Sequence, residues 1–370
     1  MHTVQVNIIS EQTIPNILFI KEFAKQTDKY LFITTEKMNK GGQLDNILSV
    51  CQITDQQCYP RVVVNEESLA DVETRLEVLQ LSRTDLQFIV NITGGTKIMS
   101  LGVYSFFSRF NSKMYYMPIG KNEYKQIFPP ANEQIQGIEY RISLKDYLQG
   151  YGITIQNSEE QNNLVQTPSV SKRLWQHRVT PKAKDSINVR KGIDILKNQA
   201  YQERNLLLSS LPSNLADTLR LTLNIISFKP QSPTQLLVEE INYLRGQWLE
   251  EYVYTTIKNL FQLGDCFMGN SVKIQKYTTP NELDVVLMRN NVIYVVECKT
   301  HLNKEIFDLT AYKLHAIKKE FGLFVKSAIV CLNEYNDQSK RLDTFDIKLL
   351  DGKVTRNHDK FIQALQQFIR

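Results

Sequence analysis

The chain has 370 residues, of which 42% are hydrophobic and 22% are charged, and its formal net charge is +5. This length predicts two or three domains, and the balanced composition is typical of globular proteins with sizeable cores. No apolar run is long enough to cross a bilayer, so we expect no membrane span. The N-terminus lacks the pattern of an export signal, and five cysteines without close CxxC pairing favour neither a disulfide framework nor a zinc site. We therefore expect a cytoplasmic protein.

Short β-rich runs alternate with amphipathic segments over residues 1–150. The runs typical of strands are residues 4–9, 31–35, 61–64, 86–92 and 113–119, and the helical segments are residues 13–26, 67–82 and 96–110. This order predicts a mostly parallel, doubly wound, Rossmann-like sheet. Because ligands of such sheets sit beyond the carboxyl ends of the strands, the loops after Ile9 and Ile92 are the first places to expect one.

The alternating pattern ends near residue 150. Residues 156–172 are polar and typical of a linker, and a basic stretch follows at residues 172–191. Two helical segments are predicted at residues 192–225 and 234–262, and then apolar strands flank a helical segment at residues 304–320. We therefore predict three regions: a Rossmann-like domain at 1–150, a linker and largely helical region at 151–235, and a second α/β domain at 236–370.

The segment 281–299 predicts a β-hairpin, because two apolar runs flank a polar turn at residues 288–291. Folding the segment about this turn places Asp284 within a residue or two of the position opposite Glu297. Side chains alternate along a strand, so Glu297 and Lys299 share one face while Cys298 points to the other. Two carboxylates and an ammonium group are therefore expected to converge at the open end of the hairpin.

This convergence predicts a metal centre that cleaves phosphodiesters. Two close carboxylates on an apolar hairpin repel each other and lose solvation, and a divalent cation relieves both costs. Oxygen ligands favour Mn²⁺ or Mg²⁺ over zinc. Such an ion can polarise a phosphate and lower the pKa of a bound water, while Lys299 orients that water or stabilises charge on the phosphate oxygens. A surface hairpin closed by one Glu–Lys or Asp–Lys pair is the simpler alternative.

The hairpin resembles the PD-(D/E)xK nuclease superfamily, whose core holds an Asp and an E-x-K sequence on adjoining strands. The matching residues in this chain are Asp284 and Glu297-Cys298-Lys299. The resemblance implies a restriction-endonuclease-like α/β domain. It further implies that Asp284, Glu297 and the backbone carbonyl of Cys298 hold the metal ion.

The resemblance also implies a further acid on a preceding helix. Glu250 lies in a segment, 246–253, of the form G-x-x-x-E-x-x-V, so we assign it to the catalytic set. Its neighbour Glu251 and the strand residue Glu282 are alternatives for this position. An exposed helix carboxylate without a catalytic role is the other interpretation of Glu250.

A second motif, at residues 91–97 with the sequence NITGGTK, follows a predicted strand and opens a predicted helix. Its glycines would let a ligand approach the backbone, and the helix N-terminus would offer amide donors to a phosphate. The spacing excludes a P-loop and the G-x-G-x-x-G fingerprint. A tight strand-to-helix turn without a ligand is the alternative interpretation.

The loop after the first strand and the TGGTK loop together resemble CARF domains, the CRISPR-associated Rossmann folds, where the two loops line a dimeric pocket. Joined to a PD-(D/E)xK core, the resemblance spans nearly the whole chain and implies an ancillary nuclease of type III CRISPR systems. It implies a homodimer that binds cyclic oligoadenylate, commonly cyclic tetra-adenylate, and then cleaves nucleic acid. The residues that it assigns to the ligand pocket are Ser10, Thr13, Thr93, Gly94, Gly95, Thr96 and Lys97. Ser10 and Thr13 fit a helix cap equally well.

Two other functions fit the sequence. The basic stretch 172–191 would also suit a nucleotide-sensing regulator that binds nucleic acid without cleaving it. Alternatively, the nuclease domain would belong to a constitutive restriction or repair enzyme with an unrelated N-terminal domain. The sequence leaves open whether single-stranded DNA, RNA or nicked duplex DNA is the substrate, because the width of the cleft decides this.

Overall fold

The structure of this chain is a computed structural model that describes residues 2–81, 85–130, 135–156, 168–180, 183–198, 204–276, 279–336 and 340–370. Its contacts divide the chain into two compact units. Unit 1 comprises Met1–Thr154, Met288–Val292 and Ile317–Val325, and unit 2 comprises Ile155–Leu287, Ile293–Ala316 and Lys326–Arg370. The described helices are all too short or too polar to span a membrane.

The first sheet has seven strands. In chain order they are β1 (His2–Ile8), β2 (Lys29–Thr34), β3 (Val62–Val63), β4 (Leu86–Asn91), β5 (Ser112–Tyr116), β6 (Glu123–Phe128) and β7 (Ile135–Gly137). The helices that accompany them are α1 (Ile14–Phe23), α2 (Glu36–Lys40), α3 (Gln43–Cys51), α4 (Leu69–Glu77), α5 (Lys97–Phe107) and α6 (Leu144–Gly150). The spatial order is β3-β2-β1-β4-β5-β6-β7.

The predicted parallel, doubly wound sheet is confirmed. β1 pairs in parallel with β2 and β4, and β4 pairs in parallel with β5. Val4, Val6 and Ile8 on one face of β1 are fully buried, and so are Gln5 and Asn7 on the other, because helices cover both faces of the sheet. The antiparallel strands β6 and β7, which extend the sheet beyond β5, are not predicted from sequence, since β6 is polar and only half-buried.

The second sheet has the order β15-β14-β13-β12-β11-β8. Its strands are β8 (Thr154–Ile155), β11 (Met268–Lys276), β12 (Thr279–Arg289), β13 (Val292–Lys299), β14 (Val325–Cys331) and β15 (Ile347–Leu350). The helices after the first sheet are α7 (Pro168–Val179), α8 (Lys184–Asn198), α9 (Ser213–Ile225), α10 (Val238–Asn242), α11 (Trp248–Phe261), α12 (Lys304–Glu320), α13 (Arg341–Phe345), α14 (Gly352–Thr355) and α15 (His358–Phe368). A π-helical turn, Tyr243–Gln247, joins α10 to α11.

The hairpin formed by β12 and β13 agrees with the sequence prediction. Asn290 and Asn291 form its two-residue turn, with φ angles of 50° and 62°. Positive φ at both positions is characteristic of a type I′ turn, and asparagine tolerates it better than most residues because its short polar side chain bonds locally. The turn fixes the register of the two strands and therefore the position of every side chain on them.

The region between the sheets is helical, but the predicted helical segment 192–225 is interrupted by a short strand. α8 ends at Asn198, residues 199–203 lie outside the described residues, and a short strand β9 (Leu206–Leu207) pairs with β10 (Gln235–Leu236). Most of the predicted linker, residues 157–167, also lies outside the described residues. Trp175 of α7 stacks on Tyr252 of α11 at 4.2 Å, so α7 packs within unit 2. The division into three domains at 150 and 235 stays a prediction.

Candidate cleavage site and ligand pocket

The β12–β13 hairpin brings together the side chains that the sequence predicts to converge. Asp284 is 7% exposed and Glu297 is 1% exposed, and the backbone nitrogen of Cys298 donates to Asp284 Oδ2 at 2.8 Å. Lys299 Nζ lies 2.9 Å from Asp284 Oδ2 and 3.3 Å from Glu297 Oε2. The two carboxylates and the ammonium group thus form one cluster on the face that alternation along the strand predicts.

A second lysine, Lys313 of α12, completes this cluster and is absent from the sequence prediction. Its Nζ lies 2.7 Å from Glu297 Oε1, and its side chain is 30% exposed. Lys299 and Lys313 belong to different elements, so the 14 residues between them in sequence do not predict that their side chains meet. Only the packing of α12 against the sheet shows that the two lysines meet the same carboxylate.

The charges in the cluster perturb one another. Burial and the neighbouring Asp284 carboxylate raise the pKa of Glu297, and the two lysines partly offset this. Burial lowers the pKa of Lys299, but Asp284 and Glu297 outweigh it and hold that pKa above its ordinary value. Both lysines therefore stabilise carboxylates that would be costly to bury alone.

The structure distinguishes Glu250 from Glu251 and Glu282, the two alternatives that the sequence left open for the further acid of the site. Ser271 Oγ donates to Glu250 Oε2 at 2.7 Å, and burial followed by repulsion from Asp284 raises the pKa of Glu250 to about 8. Glu251 instead accepts a hydrogen bond from the hydroxyl of Tyr243. Glu282 is exposed. Glu250 is therefore the helix acid that interacts with the cluster.

The donor chemistry suits a hard divalent cation. Asp284 and Glu297 already share one cation, the ammonium group of Lys299, and carboxylate oxygens are the ligands that Mn²⁺ and Mg²⁺ prefer. Among the described residues, no three acidic, histidine or cysteine side chains lie close enough to hold an ion together. An ion at this site would therefore be held by the carboxylates of Asp284 and Glu297 and by a further donor that is not an acidic, histidine or cysteine side chain. The backbone carbonyl of Cys298 stays the predicted further donor.

The TGGTK loop forms a tight turn between β4 and α5. Gly95 has φ +78°, and a Cβ atom on Gly94 would lie 2.4 Å from the carbonyl oxygen of Ile8, so both positions need glycine. Thr96 caps α5 by accepting from the backbone nitrogen of Met99 at 3.2 Å. Thr93 Oγ1 accepts from the backbone nitrogen of Met117 at 2.8 Å. The Thr93 contact ties the loop to the segment after β5, and the close approach of Gly94 to Ile8 places it beside the end of β1.

A groove of about 390 Å³ opens at the carboxyl ends of β1, β2 and β4. The predicted ligand residues that line it are Ser10, Thr93, Gly94, Gly95 and Thr96. The other two predicted residues do not line it: Thr13 is buried and donates to the carbonyl oxygen of Gly150 at 2.7 Å, and Lys97, the first residue of α5, is exposed. Neither Thr13 nor Ser10 caps α1, since Thr13 makes no side-chain cap bond and Ser10 donates to Gln12.

The cation that does line the groove is Lys37, at the start of α2, and the sequence prediction misses it. Its Nζ lies 2.7 Å from Glu11 Oε1, and both side chains are largely exposed. The sequence does contain a signal for Lys37. It comes just after β2, and the carboxyl end of this strand lies at the same edge of the sheet as that of β1.

Gln12 links the first loop of the groove to residues 322–323 within unit 1. Its Oε1 accepts from the backbone nitrogen of Leu323 at 3.1 Å and from the hydroxyl of Tyr151 at 3.1 Å. The side chain of Leu323 lines the same groove and is 69% exposed. The groove is therefore built partly from the segment that follows α12.

Comparisons with known proteins agree with this arrangement. Residues 4–147 match the family model of the Card1 CARF domain, and residues 238–365 match the model of the Card1-like endonuclease domain. No match was found among curated proteins.

Three solved structures share the fold. Protein VC1899 from Vibrio cholerae is 16% identical, with a TM-score of 0.75, over 99% of this chain and 98% of that one. Can2 from Sulfobacillus thermosulfidooxidans, in complex with cyclic tetra-adenylate, is 18% identical, with a TM-score of 0.73, over 100% of both chains. A type III CRISPR defence DNA nuclease activated by cyclic oligoadenylate is 15% identical, with a TM-score of 0.53, over 91% of this chain and 46% of that one. The chain belongs to the CRISPR-associated proteins that join a Card1-type CARF domain to a Card1-like endonuclease domain.

Proposed function

We propose that this protein is a metal-dependent endonuclease of type III CRISPR antiviral defence that cyclic oligoadenylate activates and that cleaves DNA, RNA or both. The observation that carries the proposal is the cluster of Asp284, Glu297 and Lys299 at the open end of the β12–β13 hairpin. The two matched domains support it. So does the bound cyclic tetra-adenylate of Can2, from which we infer the same ring size here.

The cleavage step would depend on the charges of the cluster. Asp284, Glu297 and the carbonyl of Cys298 would hold Mn²⁺ or Mg²⁺, which supplies an activated water and polarises the scissile phosphate. Lys299 is 29% exposed, so its ammonium group can reach a phosphodiester and stabilise the charge that builds on its oxygens. In the metal-free protein burial, followed by repulsion from Asp284, raises the pKa of Glu250 to about 8, so its carboxyl would be able to hold a proton beside Asp284.

The groove would bind one half of the ligand. Backbone amides at the start of α5 and the ammonium group of Lys37 are suited to phosphates, and Thr93 and Thr96 offer hydroxyl groups. A ring with an even number of repeated nucleotides has two-fold symmetry, so a homodimer is the matching host. The exposed Ile98 (37%) and Leu101 (59%), one turn apart on α5, provide an apolar strip for a second protomer.

The test is cleavage of labelled single-stranded DNA, RNA and supercoiled plasmid, each with and without cyclic tetra-adenylate and with Mn²⁺ or EDTA. We expect cleavage that needs the ion and that rises when the ligand is added. Equal cleavage with and without ligand would contradict the proposed activation by cyclic oligoadenylate and favour a constitutive nuclease. Binding of nucleic acid with no cleavage under any condition would favour the regulator.

A further inference from the structure

Glu297 is held at both oxygens by two lysines from different elements. Lys299 of β13 lies 3.3 Å from Oε2, and Lys313 of α12 lies 2.7 Å from Oε1. The shorter contact is therefore made by the residue outside the E-x-K sequence. The carboxylate between the two lysines is 1% exposed.

The two contacts fix the rotation of the carboxylate. The last torsion of a glutamate side chain is broad and roughly two-fold, so the chain itself does not set the direction of the oxygens. A donor on Oε1 from α12 leaves Oε2 turned towards Asp284 and Lys299, which is the side where the proposed ion would bind. A ligand oxygen held in this way keeps its direction when its other partner moves.

The placement of Lys313 on α12 makes this contact rigid at one end. Phe307, Ala311 and Leu314 of α12 are fully buried, and Lys313 lies at the edge of this stripe. The backbone of Lys313 is thus anchored by the packing of the helix, while its side chain is 30% exposed.

We propose that Lys313 is a positioning residue of the cleavage site, which holds Glu297 Oε1 so that Oε2 is presented to the divalent ion. This inference rests on the proposed function. It predicts a defect that depends on the ion, because Mg²⁺ requires near-ideal octahedral geometry and responds more strongly to a misdirected ligand than Mn²⁺ does.

The experiment compares the wild-type chain with Lys313→Met, Lys313→Arg and the control Lys319→Met, which removes an exposed lysine from the same helix. Cleavage rates are measured with Mg²⁺ and with Mn²⁺ at saturating ligand. Separately, the melting temperature of the metal-free protein is followed as Mn²⁺ is added without nucleic acid, which reports binding of the ion alone.

For Lys313→Met we expect the Mg²⁺ rate to fall about 10- to 100-fold and the Mn²⁺ rate to fall less, with a Mn²⁺-induced rise in melting temperature that is smaller than in the wild type, because the misdirected carboxylate holds the ion less tightly. Lys313→Arg should restore most of the rate, since its guanidinium donates to the same oxygen. An unchanged Mg²⁺ rate, equal losses with both ions, or a melting shift as large as that of the wild type would each overturn the inference. A wild-type protein that cleaves nothing would overturn the proposed function together with it, whereas an active wild type with an unaffected variant counts against Lys313 alone.

Discussion

Lys299 Nζ lies 2.9 Å from Asp284 Oδ2, and the same oxygen accepts a hydrogen bond from the backbone nitrogen of Cys298 at 2.8 Å. Asp284 is therefore oriented by the neighbouring strand through one backbone and one side-chain donor. The arrangement holds a carboxylate at 7% exposure while keeping its charge compensated. It also determines what each substitution in the cluster should do.

Glu297→Ala and Lys299→Ala should each lower ligand-stimulated cleavage at least about 100-fold, because they remove the proposed ion ligand and the ammonium group that we propose meets the phosphate. Binding of cyclic tetra-adenylate, measured by calorimetry, should stay unchanged, since both residues lie in unit 2 and the groove lies in unit 1. Lys326→Ala, an exposed lysine on β14, is the control. Weaker ligand binding in the first two variants would contradict the separation of the two sites.

Lys37→Ala should weaken binding of cyclic tetra-adenylate about 10-fold, because one charge-assisted contact to a phosphate is lost. The control is Lys40→Ala on the same helix, whose exposed pair with Glu36 lies outside the groove lining. Lys97→Ala tests the sequence-based assignment in the same titration. Equal affinities for the Lys37 and Lys40 variants would show that Lys37 does not contact the ligand.

Glu250→Gln should raise the stability of the metal-free protein more at pH 9 than at pH 5.5. In the folded protein the pKa of Glu250 is about 8, above its ordinary value of 4.5. The free energy of unfolding therefore falls as the pH rises from 4.5 through 8, because the buried carboxyl must then ionise beside Asp284. Glutamine removes this cost and retains an acceptor for Ser271. In EDTA we expect a melting gain larger by about 2 °C at pH 9.

The control for this pH comparison is Glu239→Gln, a substitution of an exposed acid on α10. It should change the melting temperature equally at both pH values. A Glu250→Gln gain that is independent of pH would mean that Glu250 already ionises as an ordinary carboxyl in the folded protein.

Gln12→Ala should reduce the stimulation of cleavage by ligand more than it reduces ligand affinity. The substitution removes the acceptor for the Leu323 amide and the Tyr151 hydroxyl. Leu323 follows closely on the last turn of α12, the helix that carries Lys313, so the loss of this bond would free the end of that helix. Cleavage at saturating ligand and hydrogen exchange at the amide of Leu323 are the measurements. Full stimulation with unprotected exchange at that amide would show that the link has no part in activation.

The hairpin and the parallel strands of the first sheet could be predicted from sequence because their signals are local. Alternation of side chains along β13 places Glu297 and Lys299 on one face, and the asparagine turn sets the register that brings Asp284 beside them. The TGGTK loop is equally local, since a strand, two glycines and a helix start follow one another along the chain.

The remaining contacts of the site could not be predicted from sequence, because they depend on packing between segments that are distant in the chain. The rotation of α11 turns Glu250 towards Asp284 and Glu251 towards Tyr243, although the two acids are neighbours in sequence. The docking of α12 brings Lys313 to Glu297, and the fold brings Leu323 to Gln12 across more than 300 residues. A periodic pattern reports which face of an element is apolar, but the angle and depth at which that face packs are set by the whole core.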